Sequence, residues 1–332
     1  MSIVHSTPIS GAAGESGAQS GQLLGFTRSR AIFFLLFAAF VAISPLFLYP
    51  IFLMKVYCFI IFACAYNLLL GYTGLMSFGH AAFFGMGAYL CGYAATQWGL
   101  PFELSVLTGT IFAAFLGLFF GWVAIRRTGL YFAMITLALA QMVYFVAMQA
   151  PFTGGENGIQ SVPRGTLLGL VDLSSNMALY WLMAVIVLAM LAFYNRIVHS
   201  PFGQVLRAIR NNPERAKSLG YDIDRFKLAS FTISAAMAGF AASLKTVIFG
   251  IATLTDVSTV VSTEVVLINL VGGIGTIFGP VVGSYIILSL EHFLAPYGPW
   301  VLLIQGIVFM LFVLLFRQGL VGELQKKLRA HL

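Results

Sequence analysis

Charge is what this chain has least of: 9% of its 332 residues are Asp, Glu, Lys or Arg, while 60% are hydrophobic. Soluble globular domains carry roughly 25% charged residues. With a mean hydropathy of +0.94, the chain would present wide apolar patches to water, so lipid is its solvent. Cysteine is nearly as scarce. Cys58, Cys64 and Cys91 all lie in apolar stretches with no CxxC spacing or Cys/His cluster. They read as small packing groups, with no indication of a disulfide framework or a metal site. No G-x-x-x-x-G-K-[ST] occurs, so the chain has no phosphate cradle of its own. Paired acids and bases are missing too. The stretch 154–158 offers a turn and a single carboxylate, Glu156, and reads as an external loop rather than an active site. Period-two alternation is also lacking, which excludes an outer-membrane barrel.

What remains is a set of long uncharged runs. Residues 31–49, 104–125, 129–150, 177–195, 265–290 and 298–316 each pass without one charged side chain. About 20 helical residues cross about 30 Å of hydrocarbon, so these runs have spanning length. The run 56–102 is uncharged as well, and His80 with its neighbouring glycines divides it in two. The run 228–244 is slightly short but continues past Lys245, whose ammonium is expected to snorkel to the interface. The expected fold is an all-α polytopic helical bundle.

The few charges are unevenly placed. Of the 18 basic residues, Arg196, Arg207, Arg210, Arg215, Lys217, Arg225 and Lys227 fall in one segment, and Arg317, Lys326, Lys327 and Arg329 close the chain. This is the positive-inside pattern, so a pI of about 9.4 reports topology and not a nucleic-acid partner. Residues 1–27, rich in Ser, Gly and Ala, read as a disordered cytoplasmic tail. With Arg28 and Arg30 inside, Lys55 falls outside, Arg126 and Arg127 inside, and 151–176 outside. The segment 196–227 and a tail at 323–332 then fall inside, with a transmembrane body over 28–322. Returning to the same side between Lys227 and Arg317 requires an even number of crossings. The block at 265–290 is therefore split by VGGIGTIFGP into a short segment near 262–273 and a longer one near 277–294, giving about ten segments.

A broken helix at membrane depth persists only where it lines a cavity or is buried in protein. Gly272, Gly273 and Gly275 mark one break, and Gly71 and Gly74, preceded by Asn67 and followed by His80, mark a second glycine-rich stretch. Phe78-Gly79 before Gly87-Ala88-Tyr89 is faintly echoed by Phe278-Gly279 before Gly283-Ser284-Tyr285, as in the internal repeats of transporters. Small residues that let helices pack closely give the alternative reading. With Glu264, expected at the opening of the short segment where it favours a helix N-terminus, these residues are the candidates for a translocation path.

The polar segment Arg207–Lys227 carries a helix signature. Asn212 suits an N-cap, Pro213 the first helical position, Glu214 the first turn and Gly220 the terminus. Two turns are marginal alone, so the helix is held by the chain's own surface or by another protein. Glu214-Arg215-Ala216-Lys217-Ser218-Leu219-Gly220 resembles the E-A-A-x-x-x-G signature of ABC importer permeases, departing from it at Arg215. Asn67-Leu68-Leu69, Gly71-Tyr72-Thr73-Gly74, Ser77-Phe78-Gly79-His80-Ala81 and Gly272-Gly273-Ile274-Gly275-Thr276 with Phe278-Gly279-Pro280 resemble the branched-chain amino acid permease family, M-type (LivM-like) subunit.

The resemblance, which extends over about residues 50–322, implies an ABC importer permease of a bacterial inner membrane with both termini cytoplasmic. Its partners would be an H-type (LivH-like) permease, two cytoplasmic ATP-binding subunits holding ATP-Mg, and a periplasmic amino-acid-binding protein. No cofactor would be bound by this chain. Arg207, Arg210, Glu214, Arg215, Ala216 and Gly220 would form the coupling segment entering the ATPase. Urea or amide permeases share most of the pattern. An ion-coupled secondary transporter would need intramembrane groups, for which His80, Glu264, Glu291 and His292 are available. A passive channel would predict flux without a binding protein.

Overall fold

The computed structural model describes residues 28–167, 171–173, 175–298, 300–316 and 319–328. The tail assigned to 1–27 and the last residues, 329–332, lie outside the described residues. The chain is an all-α bundle apart from a two-residue antiparallel ladder, β1 Thr166–Leu167 with β2 Val171–Asp172. In order, the apolar helices are α1 Arg28–Ile43, α2 Pro50–Asn67, α3 His80–Thr96, α4 Phe102–Ala124, α5 Leu130–Gln149 and α6 Asn176–His199. Two surface helices follow, α7 Pro201–Asn211 and α8 Pro213–Ser218. Then come α9 Ile223–Phe249, α10 Thr259–Gly272, α11 Gly279–Leu294, α12 Trp300–Leu315 and α13 Gly319–Leu328.

Five of the described segments are long and apolar enough to cross a membrane: Pro50–Thr73, α4, α5, α6 and α9. Their depth in the bundle differs widely. The span beginning at Pro50 is 89% buried and α9 72%, whereas α5 is 28% buried. A helix apolar on every side belongs at the centre of a bundle, and α2 with α9 forms that centre here. At 14 residues, α10 reaches only about 21 Å at the helical rise per residue. It is the short segment expected near 262–273, followed by α11 in place of 277–294.

Close approach of α3, α4 and α9 rests on small residues at four-residue spacing. Gly109, Ala113 and Gly117 of α4 face Ala235, Gly239 and Ser243 of α9, and Gly87 of α3 meets the backbone of Gly239. A Cβ on Gly87 or Gly239 would strike its neighbour. Without a hydrophobic drive between helices in lipid, this backbone proximity supplies the packing energy. Polar side chains inside the bundle find partners across it. Ser234 Oγ donates to the Ala65 carbonyl at 2.5 Å and meets His80 Nε2 at 2.9 Å.

Two features differ from what the sequence predicts. Lys245 does not snorkel outward; it is paired with Asp256, which is 4% exposed, and lies 5.7 Å from the Phe84 ring centroid. The pairing arises because a short turn at Leu254–Val257 packs beside α3 and carries the carboxylate to the lysine. The segment 196–227 is also not a loop with one short helix. Ser200 caps α7, accepting from Gly203 N at 3.3 Å, with Pro201 in the first turn. Ser200-Pro201 is thus a helix-start signal carried by the sequence itself.

Candidate functional site

The site is a junction of interrupted helices with the surface pair α7–α8 laid against it. The α-helix of α2 gives way to a π-helical turn over Leu68–Thr73, ending at Gly74 in the left-handed region with φ +77°. Both Gly74 N and Leu75 N bond the Leu69 carbonyl, so the ladder closes early and the chain turns away. Residues 74–79 run without regular structure until α3 begins at His80. The second interruption lies between α10 and α11, where Gly273 has φ +119° and Gly275 φ +77°. A side chain at either position would be strained. The two interruptions meet: a Cβ on Gly71 would collide with the backbone of Gly275.

Asn67 ties them together. Its Nδ2 donates to Tyr194 Oη at 2.9 Å and to the Thr276 carbonyl at 2.7 Å, and its Oδ1 accepts from Gly275 N at 2.9 Å. The side chain is fully buried, with one acceptor and both donors committed. On the other side, Gly272 packs against the backbone of Gly279, Gly283 against the Ile268 carbonyl, and Gly319 of α13 against Gly273. Of the path candidates, Asn67, Gly71, Gly74, Gly272, Gly273 and Gly275 thus sit in one place. His80 is buried next to it, edge-on to Tyr66 with ring centroids 4.9 Å apart, and turned toward Ser234.

Glu264 belongs elsewhere. It does not open the short segment, because α10 starts at Thr259 and has no acidic residue in its first turn. The helix starts early because Ser258 and Thr259 follow directly on the turn at Leu254–Val257. Glu264 lines a cavity of about 260 Å³ with Val260, Thr263, Leu267, Glu291 and Gln305. Lys55 Nζ contacts both carboxylate oxygens of Glu291, at 3.0 and 3.2 Å. Glu264 Oε1 is buried without a hydrogen-bond partner among the described residues. His292 instead packs on the Phe52 ring, with centroids 4.8 Å apart.

The coupling candidates divide by direction. In α8, Asn212 accepts from Arg215 N at 3.0 Å, Pro213 occupies the first turn, and Gly220 has φ +88°. Glu214, Arg215, Lys217 and Gly220 are exposed, while Ala216 is 2% exposed and faces inward. In α7, Leu206 and Ile209 are buried against the bundle. The guanidinium of Arg207 lies 5.0 Å from the Tyr72 ring centroid, and Arg210 Nη1 donates to the Gly71 carbonyl. These two arginines therefore reach the helix junction while remaining exposed on the surface of α7.

At the opposite part of the bundle, the described residues of the 151–175 stretch are tied to neighbouring segments. Ile159 pairs with Ala252 in an antiparallel bridge, and Arg164 donates to Asn176 Oδ1 at 2.7 Å and to the Ile248 carbonyl at 3.1 Å. Glu156 is exposed in a tight turn between Gly154, Gly155 and Gly158, all at positive φ.

The profile of the family described as branched-chain amino acid transport system / permease component matches residues 48–315. The chain belongs to this family. It is 27% identical over 294 residues to the high-affinity branched-chain amino acid transport system permease protein LivM of Escherichia coli strain K12, covering 82% of this chain and 69% of that protein. The LivM of Salmonella typhimurium is 26% identical over the same shares. A probable LivH permease of Methanocaldococcus jannaschii is 31% identical over 113 residues, covering 34% of this chain and 35% of that one. No solved structure matches. The matched span of the permease contains both interruptions, the surface pair α7–α8 and the cavity at Glu264.

Proposed function

We propose that this permease is the M-type membrane subunit of an ATP-driven, binding-protein-dependent importer of branched-chain amino acids. It works beside an H-type permease in a bacterial inner membrane, with both termini cytoplasmic. Two ATP-binding subunits hold ATP-Mg on the cytoplasmic side, and a periplasmic binding protein delivers the solute. The observation that carries this reading is α8. A capped six-residue helix bearing Glu214 and Ala216, followed by Gly220 in the importer pattern, is held on the bundle by its buried alanine, with its charges exposed. So short a helix does not persist unaided. Its seat on the bundle keeps it formed, and its open face supports entry into a second protein.

The test is co-expression with the neighbouring subunits, reconstitution in proteoliposomes, and uptake of radiolabelled leucine or urea. The expected result is leucine uptake that needs ATP and the binding protein and withstands a protonophore. Urea uptake in its place would redirect the substrate assignment. Protonophore-sensitive uptake without ATP would refute the reading in favour of an ion-coupled carrier, and flux with no binding protein would favour a channel.

A further inference from the structure

We propose that Arg210 is a positioning residue that ties the surface pair α7–α8 to both helix interruptions, so that displacement of the surface helices moves the glycine junction directly. The inference rests on the permease reading above and adds the connection through which a partner's motion would reach the membrane interior.

The surface pair is built to move as a unit. Only Asn212 separates α7 from α8. Its side chain caps α8 by accepting from Arg215 N, while its own N–H donates to the Ala208 carbonyl of α7 at 3.0 Å. Pro213 then fixes the backbone leaving the cap. A push on exposed Glu214 or Arg215 is therefore carried into α7.

Arg210 extends from the last turn of α7 into the junction. Its Nη1 donates to the carbonyl of Gly71, inside the π-helical turn. A helix end leaves carbonyls without intrahelical partners, and a basic side chain is a suitable cap for them. The rest of the side chain fills space that two glycines leave open. A Cβ on Gly74 would stand 3.1 Å from Arg210 Cγ, and one on Gly275 would stand 3.1 Å from Arg210 Nη1. One guanidinium thus touches the end of α2 and the α10–α11 break together. Asn67 bonds the same two segments from within the bundle. Arg207 adds a second contact one turn earlier, over Tyr72 in the same π-helical turn. A π-turn is a recurrent site of local adjustment in helices, and here it is gripped from the surface.

A planar guanidinium presents several donors in a fixed fork, whereas an ammonium is a compact point charge. Arg210 Nη1 both donates to the Gly71 carbonyl and lies against Gly275; lysine keeps a donor there but loses the planar group around it. The full-length chain, labelled with nitroxides at Met76→Cys and Lys217→Cys in lipid nanodiscs, reads the tie by pulsed EPR; the native Cys58, Cys64 and Cys91 are buried. The expected result is a narrow distance distribution with Arg210 present, at least twofold broader in Arg210→Ala, and intermediate in Arg210→Lys. In the reconstituted complex, Arg210→Ala should lower uptake per ATP hydrolysed at least tenfold while hydrolysis stays within twofold, and Arg210→Lys should recover part of the loss. An unchanged distribution in Arg210→Ala overturns the tie, as does a wild-type ratio of uptake to hydrolysis. A complex that performs no ATP-driven uptake with Arg210 intact would refute the permease reading, and the EPR result would still decide whether the tie exists.

Discussion

Replacing Asn67 tests whether the junction is a structural tie. Its amide makes three hydrogen bonds, to Tyr194 Oη, the Thr276 carbonyl and Gly275 N. Side-chain hydrogen bonds inside membrane proteins average about 0.6 kcal/mol and reach about 1.7. Three of them set the cost of Asn67→Leu, which keeps the branched shape and removes every bond, at roughly 2–5 kcal/mol. Asn67→Ala adds a cavity and should cost more. At about 2–4 °C per kcal/mol, the scale for chains of 150–250 residues, the unfolding midpoint should fall by on the order of 4–20 °C. The assay is tryptophan-monitored thermal unfolding in detergent, with Tyr194→Phe and the double variant completing a cycle. That cycle should return a coupling of about 0.6–1.7 kcal/mol, because one of the three bonds joins the two side chains. If Asn67→Leu unfolds within about 0.5 kcal/mol of the parent and the cycle shows no coupling, the junction is held by packing alone and the reasoning fails.

Other substitutions probe separate parts of the molecule. Gly272→Ala places a methyl against the Gly279 carbonyl and should cost about 1–3 kcal/mol or more; Gly306→Ala, which meets nothing, should leave the unfolding midpoint unchanged or slightly raised. Ala216→Asp puts a charge where a buried methyl seats α8. It should undock the helix and reduce the ATP-binding subunit recovered by co-purification at least tenfold, and full recovery would contradict the coupling role of α8. Glu264→Gln removes a charge whose Oε1 has no hydrogen-bond partner among the described residues. Because an intramembrane carboxylate is costly unless paired, the stability should hold or rise, and a loss of more than about 1 kcal/mol would refute the assignment of Glu264 Oε1 as lacking a partner.

The apolar runs determined the membrane class and the helix inventory, because a backbone in lipid must satisfy its own hydrogen bonds and does so as helices. The glycine-rich break at 272–275, the cap at Asn212 and the stop at Gly220 were legible for the same local reason. Each depends on a backbone conformation that few residue types accept. Position within the bundle was not legible. The span from Pro50 and α5 have similar hydropathies of 1.9, yet one is 89% buried and the other 28%; in lipid, an apolar face suits a neighbouring helix and an acyl chain equally. The partners of charged side chains were hidden too. Arg207 and Arg210 were assigned to the coupling segment by the family resemblance, and Lys245 read as snorkelling. Only folding brought them to Tyr72, Gly71 and Asp256, because those contacts join residues from 11 to 139 positions apart. The sequence marked where the helices break, and tertiary structure decided that the two breaks touch, since one buried amide at Asn67 satisfies both.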